Sequence, residues 1–341
     1  MYIFRLSRYY FWSTLAGFIV LNLLCINQGI ACSEIVLNYQ NQPIIARNFD
    51  WPTKYSFVVI NPRGIVNRNN LSYGGKHLEW VSHYGSATMN LVDKNGRVLV
   101  AAVMGGFNEY GFAASHLWLD KSVYSQNPSK PTIGSGLWVK YLLDNVKTVD
   151  EAIKLTDKAD VVLMDFNGKQ VTVHLFIHDA SGDSAIMEYL KGKLVIHHNK
   201  HLSVLTNDVY AEAMQNLNQY KNFGGQLPLL GGYESAERFV NAALFIKKIN
   251  DFASKEQAVA YGFEALGYVA EPPNTPTPTV WSSVIDCVNK VLYFRDIDNQ
   301  QIRYLNLNHF DLSKGQKIKI LSINNNLSGD VEKAFWPLIN K

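Results

Sequence analysis

Strand-like runs occupy both ends of this 341-residue chain, and its helical patterns are grouped between them. Alternating runs rich in β-branched and aromatic residues fall at 33–39, 44–50, 57–61, 87–92, 97–103, 111–119, 171–178, 184–189, 193–197 and 202–207. β patterning returns at 281–295 and 301–307. Helical patterns fall at 136–145, 149–156 and about 235–252, and Thr148, three residues before Glu151, predicts a capping box at the second of them. Grouping of this kind argues against a βαβ alternation and predicts an α+β protein built in layers. The Pro/Thr stretch 271–279 is short and does not separate two units, so residues 32–341 are expected to form a single domain. No Gly-rich phosphate loop follows a strand, and Gly134-Ser135-Gly136 lacks nucleophile-elbow spacing.

The first 31 residues stand apart. Arg5 and Arg8 precede an apolar stretch from about Phe11 to Ile26, and small residues, Gly29 and Ala31, occupy the third and first positions before Cys32. That layout predicts a secretory signal removed before Cys32, hence an exported, periplasmic or secreted protein with no stable membrane anchor. The alternative use of a cysteine at this boundary is lipid attachment, but Gly29 and Ile30 fit a lipoprotein signal poorly. The whole chain is 47% hydrophobic and 18% charged with a net charge of +3, a normal globular balance. No basic run points to nucleic acid.

Cys25 would leave with the signal, and Cys32 and Cys287 are read as free thiols, Cys287 as a small buried hydrophobe. A turn near residue 41 would fold the first two runs into a hairpin that places Cys32 opposite roughly Phe49. Arg47 and Asp50 then lie within side-chain reach, because paired strands are about 5 Å apart. A cysteine at a mature N-terminus joins two chemical groups on one residue. Its thiolate is a strong nucleophile, and its α-amine, with an ordinary pKa near 8, moves protons at neutral pH.

Four further segments follow Cys32 in order: Arg47-Asn48-Phe49-Asp50-Trp51, Gly106-Phe107-Asn108-Glu109-Tyr110-Gly111, Leu205-Thr206-Asn207-Asp208 and Gly232-Tyr233-Glu234-Ser235-Ala236-Glu237-Arg238-Phe239. Together they resemble the choloylglycine hydrolase family, which contains bile salt hydrolases and penicillin V acylases. The resemblance implies a four-layer αββα N-terminal-nucleophile hydrolase sandwich of two antiparallel sheets. It implies hydrolysis of a small-molecule acyl-amide substrate without a cofactor, and a homotetramer. Cys32 would attack the amide carbonyl, and Arg47 would favour the thiolate. Asp50 would orient the Cys32 amine, and Arg238 would support the cluster electrostatically. Asn207 and the Trp118 backbone N–H would receive the oxyanion. Tryptophan at positions 51 and 118 is similar to the Gram-negative penicillin V acylase branch, whose members also cleave N-acyl homoserine lactones. The first hairpin is slightly shorter than in better-known members, and Phe49 replaces a common Met. A catalytically silent binding protein or lipoprotein on the same fold is the alternative.

Other constellations are weaker. The run His197-His198-Asn199-Lys200-His201 lacks a helical frame for a metal, and no metal site is predicted. His174 and His178 share one face of a strand without defining a site.

Overall fold

The computed structural model describes residues 32–339 apart from 69–76, 94, 127, 167, 230 and 250. The expected signal, residues 1–31, lies outside the described residues. The chain opens with a hairpin of two long strands, β1 (Cys32–Tyr39) and β2 (Gln42–Asp50). Tyr39 pairs with Gln42, and the two residues between them, Gln40 and Asn41, both have positive φ (52° and 63°). This primed two-residue turn suits the right-handed twist of the strands, and Asn tolerates the left-handed region well. The register that follows is a perfect ladder, and it sets Cys32 opposite Phe49, as the turn position predicts.

Among the described residues two large sheets stand out. The first has seven strands, in the order Val204–Leu205, β1, β2, Thr279–Asp286, Val291–Asp296, Arg303–Asn306 and Gly329–Asp330. All its pairings are antiparallel except the last. The second has nine, in the order Lys193–His198, Ser184–Leu190, Val173–His178, Ala113–Trp118, Val98–Asn108, Ser86–Val92, Ser56–Asn61, Lys319–Ser322 and Trp336–Pro337. Helices cover the outer faces. α1 (Trp138–Asn145) and α2 (Val149–Leu155) contribute to the core outside the second sheet. α3 (Tyr210–Leu217), α4 (Ser235–Lys247) and α5 (Lys255–Tyr268) do so outside the first. The middle core, which includes Ile45, Phe49, Val58, Ile60, Phe107, Phe176 and Phe294, lies between the sheets. Burying each such side chain stabilises the fold by roughly 2 kcal/mol. The result is the expected αββα sandwich.

Several local expectations are corrected. The run 202–207 yields only the short strand Val204–Leu205, because the next backbone groups bond to side chains and not to a neighbouring strand. The helix expected at 235–252 ends at Lys247. α5 was not expected, although Ser254 caps it by accepting from the Gln257 N–H, the start signal that Ser-x-x-Gln provides. α3 was also not expected. At α2 the Thr148 hydroxyl does accept from Glu151 N, but the Glu151 carboxylate reaches Lys147 N, one residue earlier than a capping box requires. The run 171–178 is broken at Thr172: Val171 ends a small hairpin, Met164–Phe166 with Lys169–Val171, and the strand itself is Val173–His178.

Candidate active site

The hairpin register decides which side chains meet. Residues directly opposite share a face, so Cys32, Glu34, Arg47 and Phe49 all project toward the second sheet. Arg47 is only 3% exposed, and its guanidinium crosses the sandwich. It donates to the Met104 and His116 carbonyls of the second sheet, and one nitrogen stands 4.0 Å from Cys32 Sγ. The planar group also lies over Phe49 (5.7 Å) and Trp281 (5.4 Å). Space for it exists because residue 105 is glycine. A Cβ there would stand 2.3 Å from Arg47 Nη1 and 2.9 Å from Ser115 Oγ. Gly105→Ala is therefore expected to displace the guanidinium, to cost about 1–3 kcal/mol of stability, and to lower kcat/KM by at least about tenfold, the equivalent of 1.4 kcal/mol. Thermal unfolding and steady-state kinetics check both effects.

Asn207 and Arg238 hold the backbone end of Cys32. The Cys32 nitrogen donates to Asn207 Oδ1 at 2.8 Å, and Arg238 donates to the same oxygen at 2.7 Å. Arg238, in the first turn of α4, also donates to the Cys32 carbonyl (2.7 Å) and to Ser33 Oγ (2.5 Å). With its oxygen so occupied, the Asn207 amide points Nδ2 at the Trp118 carbonyl, 2.8 Å away. An extended residue presents its N–H and C=O on the same edge of the strand. The Trp118 N–H therefore opens on the side where Asn207 stands.

Asp50 closes the cluster differently from expectation. In this chain the Cys32 nitrogen bonds to Asn207 and not to Asp50. One Asp50 oxygen accepts from the Thr279 hydroxyl at 2.5 Å, and the other is buried with no hydrogen-bond partner among the described residues. Burial pushes the Asp50 carboxyl up to about 6, against the pull of Arg238, Thr279 and Arg47. Burial likewise pushes the Cys32 thiol up. The Asp50 charge adds to this, while Arg47 and the Asp50 backbone N–H oppose it. The resting thiol is thus predominantly neutral at pH 7, and it needs a base before it can attack.

Cys32 Sγ borders a cavity of about 260 Å³ whose walls are mostly apolar, among them Phe49, Trp51, Met104, Trp118, Met164 and Val171. Trp51 and Trp118 meet edge to face with ring centroids 6.5 Å apart. The Lys169 ammonium lies over both rings, 5.5 Å and 4.8 Å from their centroids. His116 also lines the cavity. Its Nδ1 faces the Val103 carbonyl at 3.0 Å, and burial, aided by Arg47, drops its pKa to about 3, so the ring is neutral.

Every expected site residue therefore belongs to one connected cluster. His116, Lys169, Gly105, Thr279 and Ser235, whose hydroxyl accepts from Asn207 N (2.9 Å), were not singled out from the sequence. Only Ser235 carried a signal, since it lies in the segment that also contains Arg238. Cys287 is a buried free thiol, and burial pushes it far above its ordinary range. The histidine run divides: His197 stands 3.3 Å from Glu188 and His198 2.8 Å from Asp183. Asp150, Asp183 and His198 converge with ligand atoms within 4.8 Å of one another, a spacing compatible with a cation.

Two face-packed antiparallel sheets between helix layers, with a cysteine at the head of the first hairpin, are the architecture of the N-terminal-nucleophile hydrolases. Residues 32–325 match the family model of linear amide C-N hydrolases, choloylglycine hydrolase family, and the chain belongs to that family. It is a linear amide C-N hydrolase. A penicillin V acylase from Pectobacterium atrosepticum is 31% identical over 311 residues, covering 82% of this chain and 81% of the relative. A bile salt hydrolase/transferase from Lactiplantibacillus plantarum is 25% identical, covering 84% and 95%. The solved penicillin V acylase of Agrobacterium tumefaciens superposes with a TM-score of 0.77 at 29% identity, covering 90% of this chain and 98% of that one.

Proposed function

We propose that this protein is an exported hydrolase in which Cys32, freed by removal of residues 1–31, is both nucleophile and proton carrier. One observation carries the reading: the two ends of Cys32 lie in different environments. Its sulfur opens on an apolar cavity, while its backbone is held by Asn207 and Arg238. The start of the family match at residue 32 supports the same boundary.

The steps follow from these groups. Cleavage turns the Cys32 peptide nitrogen into an amine, which the buried Asp50 carboxylate would hold and orient. The amine takes the thiol proton as sulfur adds to the substrate carbonyl. The charge that develops on the carbonyl oxygen is met by Asn207 Nδ2, exchanging its bond to Trp118, and by the Trp118 N–H. Preorganised donors of this kind contribute about 10²–10³ in rate each. The amine then passes its proton to the leaving nitrogen, the C–N bond breaks, and an acyl-thioester remains. Water, deprotonated by the same amine, hydrolyses it and restores the thiol.

The cavity's flat aromatic walls suit an acyl part that is a phenoxyacetyl group or a straight fatty chain. Penicillin V and N-acyl homoserine lactones are thus the favoured substrates, and conjugated bile salts are the runner-up. A hydrolysis panel over these three classes tests the reading: acid release is expected from at least one of the first two and none from Cys32→Ser. No turnover of any amide by a chain that begins at Cys32 would contradict it and leave a silent binding protein. An intact mass raised by acyl chains on Cys32 would mean a lipid anchor. A homotetramer is part of the proposal, to be read by sedimentation.

A further inference from the structure

The loop that carries Asn207 is short, and both of its ends are tied to one buried pair on the opposite sheet. His174, in Val173–His178, and Glu188, in Ser184–Leu190, are both fully buried, with His174 Nδ1 2.9 Å from Glu188 Oε1. On its other side, His174 Nε2 stands 2.8 Å from the Thr206 carbonyl. A carbonyl only accepts, so Nε2 carries a proton and donates it there. Glu188 Oε1 also accepts the N–H of Tyr210, the first residue of α3, at 3.0 Å. Burial alone would raise the Glu188 carboxyl, yet its bonds to His174 and Tyr210 and the nearby His197 hold it below the ordinary range, as a carboxylate. The pair therefore pins residue 206 through the histidine and residue 210 through the glutamate, and Asn207 lies between these two anchors. Ser235 completes the frame, donating to Thr206 Oγ1 at 3.0 Å and accepting from Asn207 N at 2.9 Å.

We propose that His174, held by Glu188, is a positioning residue for the Asn207 amide. It touches no reacting atom; it fixes the backbone from which the Asn207 side chain reaches Cys32 and Trp118. This rests on the reading of Asn207 as an oxyanion donor. Small displacements of such a donor are costly, since hydrogen bonds weaken steeply with distance and angle.

Two readouts of the same sulfur separate positioning from general damage. Amide hydrolysis develops an oxyanion. Alkylation of Cys32 by iodoacetamide needs the thiolate and develops none, and its adduct is read by mass on the N-terminal peptide, apart from Cys287. In the processed enzyme, His174→Leu is expected to lower kcat for amide hydrolysis about 10²-fold, with KM little changed and the alkylation rate within about twofold of wild type. His174→Gln, whose amide N–H is able to reach Thr206, is expected to recover most of the loss. Glu188→Gln, which keeps an acceptor but removes the charge, is expected to lower hydrolysis about tenfold, again without slowing alkylation, and it decides the matter should His174→Leu not fold. Wild-type hydrolysis in both His174→Leu and Glu188→Gln, or parallel loss of hydrolysis and alkylation, would overturn the inference. Asn207→Ala is the control. Full activity in that variant would remove the oxyanion reading itself, whereas its loss beside unimpaired His174 and Glu188 variants would overturn the positioning role alone.

Discussion

Cys32→Ser is expected to lose at least about 10³-fold in amide hydrolysis, with an unfolding midpoint close to that of wild type. A serine hydroxyl is smaller than the thiol and enters the same buried position at the head of β1 without strain. It is also far more weakly acidic. The Arg47 guanidinium 4.0 Å away and an α-amine of ordinary basicity are too little to ionise it. Activity equal to wild type in this variant would move the nucleophile elsewhere. A large fall in stability would mean that the substitution tests folding instead, and circular dichroism together with thermal unfolding separates the two.

Asp50→Asn is expected to lower kcat by about 10²-fold, within the range typical of general acid–base contributions, and to change how stability depends on pH. The Asp50 carboxyl titrates at about 6 when folded, against an ordinary value of 3.8. Because the folded state holds this proton more tightly than the unfolded chain, ionisation works against folding. The destabilisation is absent below about pH 4, grows as pH rises through 6, and reaches about 3 kcal/mol at 1.4 kcal/mol per unit. In a chain that still carries a residue before Cys32, stability of the wild type relative to Asp50→Asn should therefore fall between pH 4 and pH 7. A flat difference across that range would show that the carboxyl is not buried in this way. In a chain that begins at Cys32 the neighbouring ammonium offsets part of this cost and draws the carboxyl below the value of about 6 that holds without it. Activity should fall in acid as the carboxyl takes up a proton and no longer holds the amine.

Much of this site is written in local sequence. The position of the turn near Asn41 is enough to set Cys32 against Phe49, and strand alternation then places Arg47 on the face of Cys32. Asn207 and Arg238 were reachable only through the resemblance, because nothing local in either segment states that the ends of two distant elements converge on β1. The layered fold was legible from the grouping of strands and helices. The outer helices α3 and α5 were less so, since α5 carries its start signal but a weak apolar stripe. The strand Lys319–Ser322 returns to the second sheet beside Ser56–Asn61, a long-range pairing that no local pattern announces. His174 and His178 illustrate the remaining gap. Their shared face was visible, but their partners were not: His178 stands 2.8 Å from Glu34, and His174 bonds the backbone beside Asn207. Strand periodicity tells which way a side chain points, and only the packing of two sheets tells what it meets.

In the proposed mechanism Cys32 is an N-terminal nucleophile that acts only after residues 1–31 are gone. Acid quenching of the active enzyme during turnover of an acyl-amide substrate, followed by mass analysis of its N-terminal peptide, tests this most directly. The predicted result is a peptide that begins at Cys32 and carries one thioester-linked acyl group. An active enzyme that retains residues before Cys32, or an acyl group on any other residue, would contradict it.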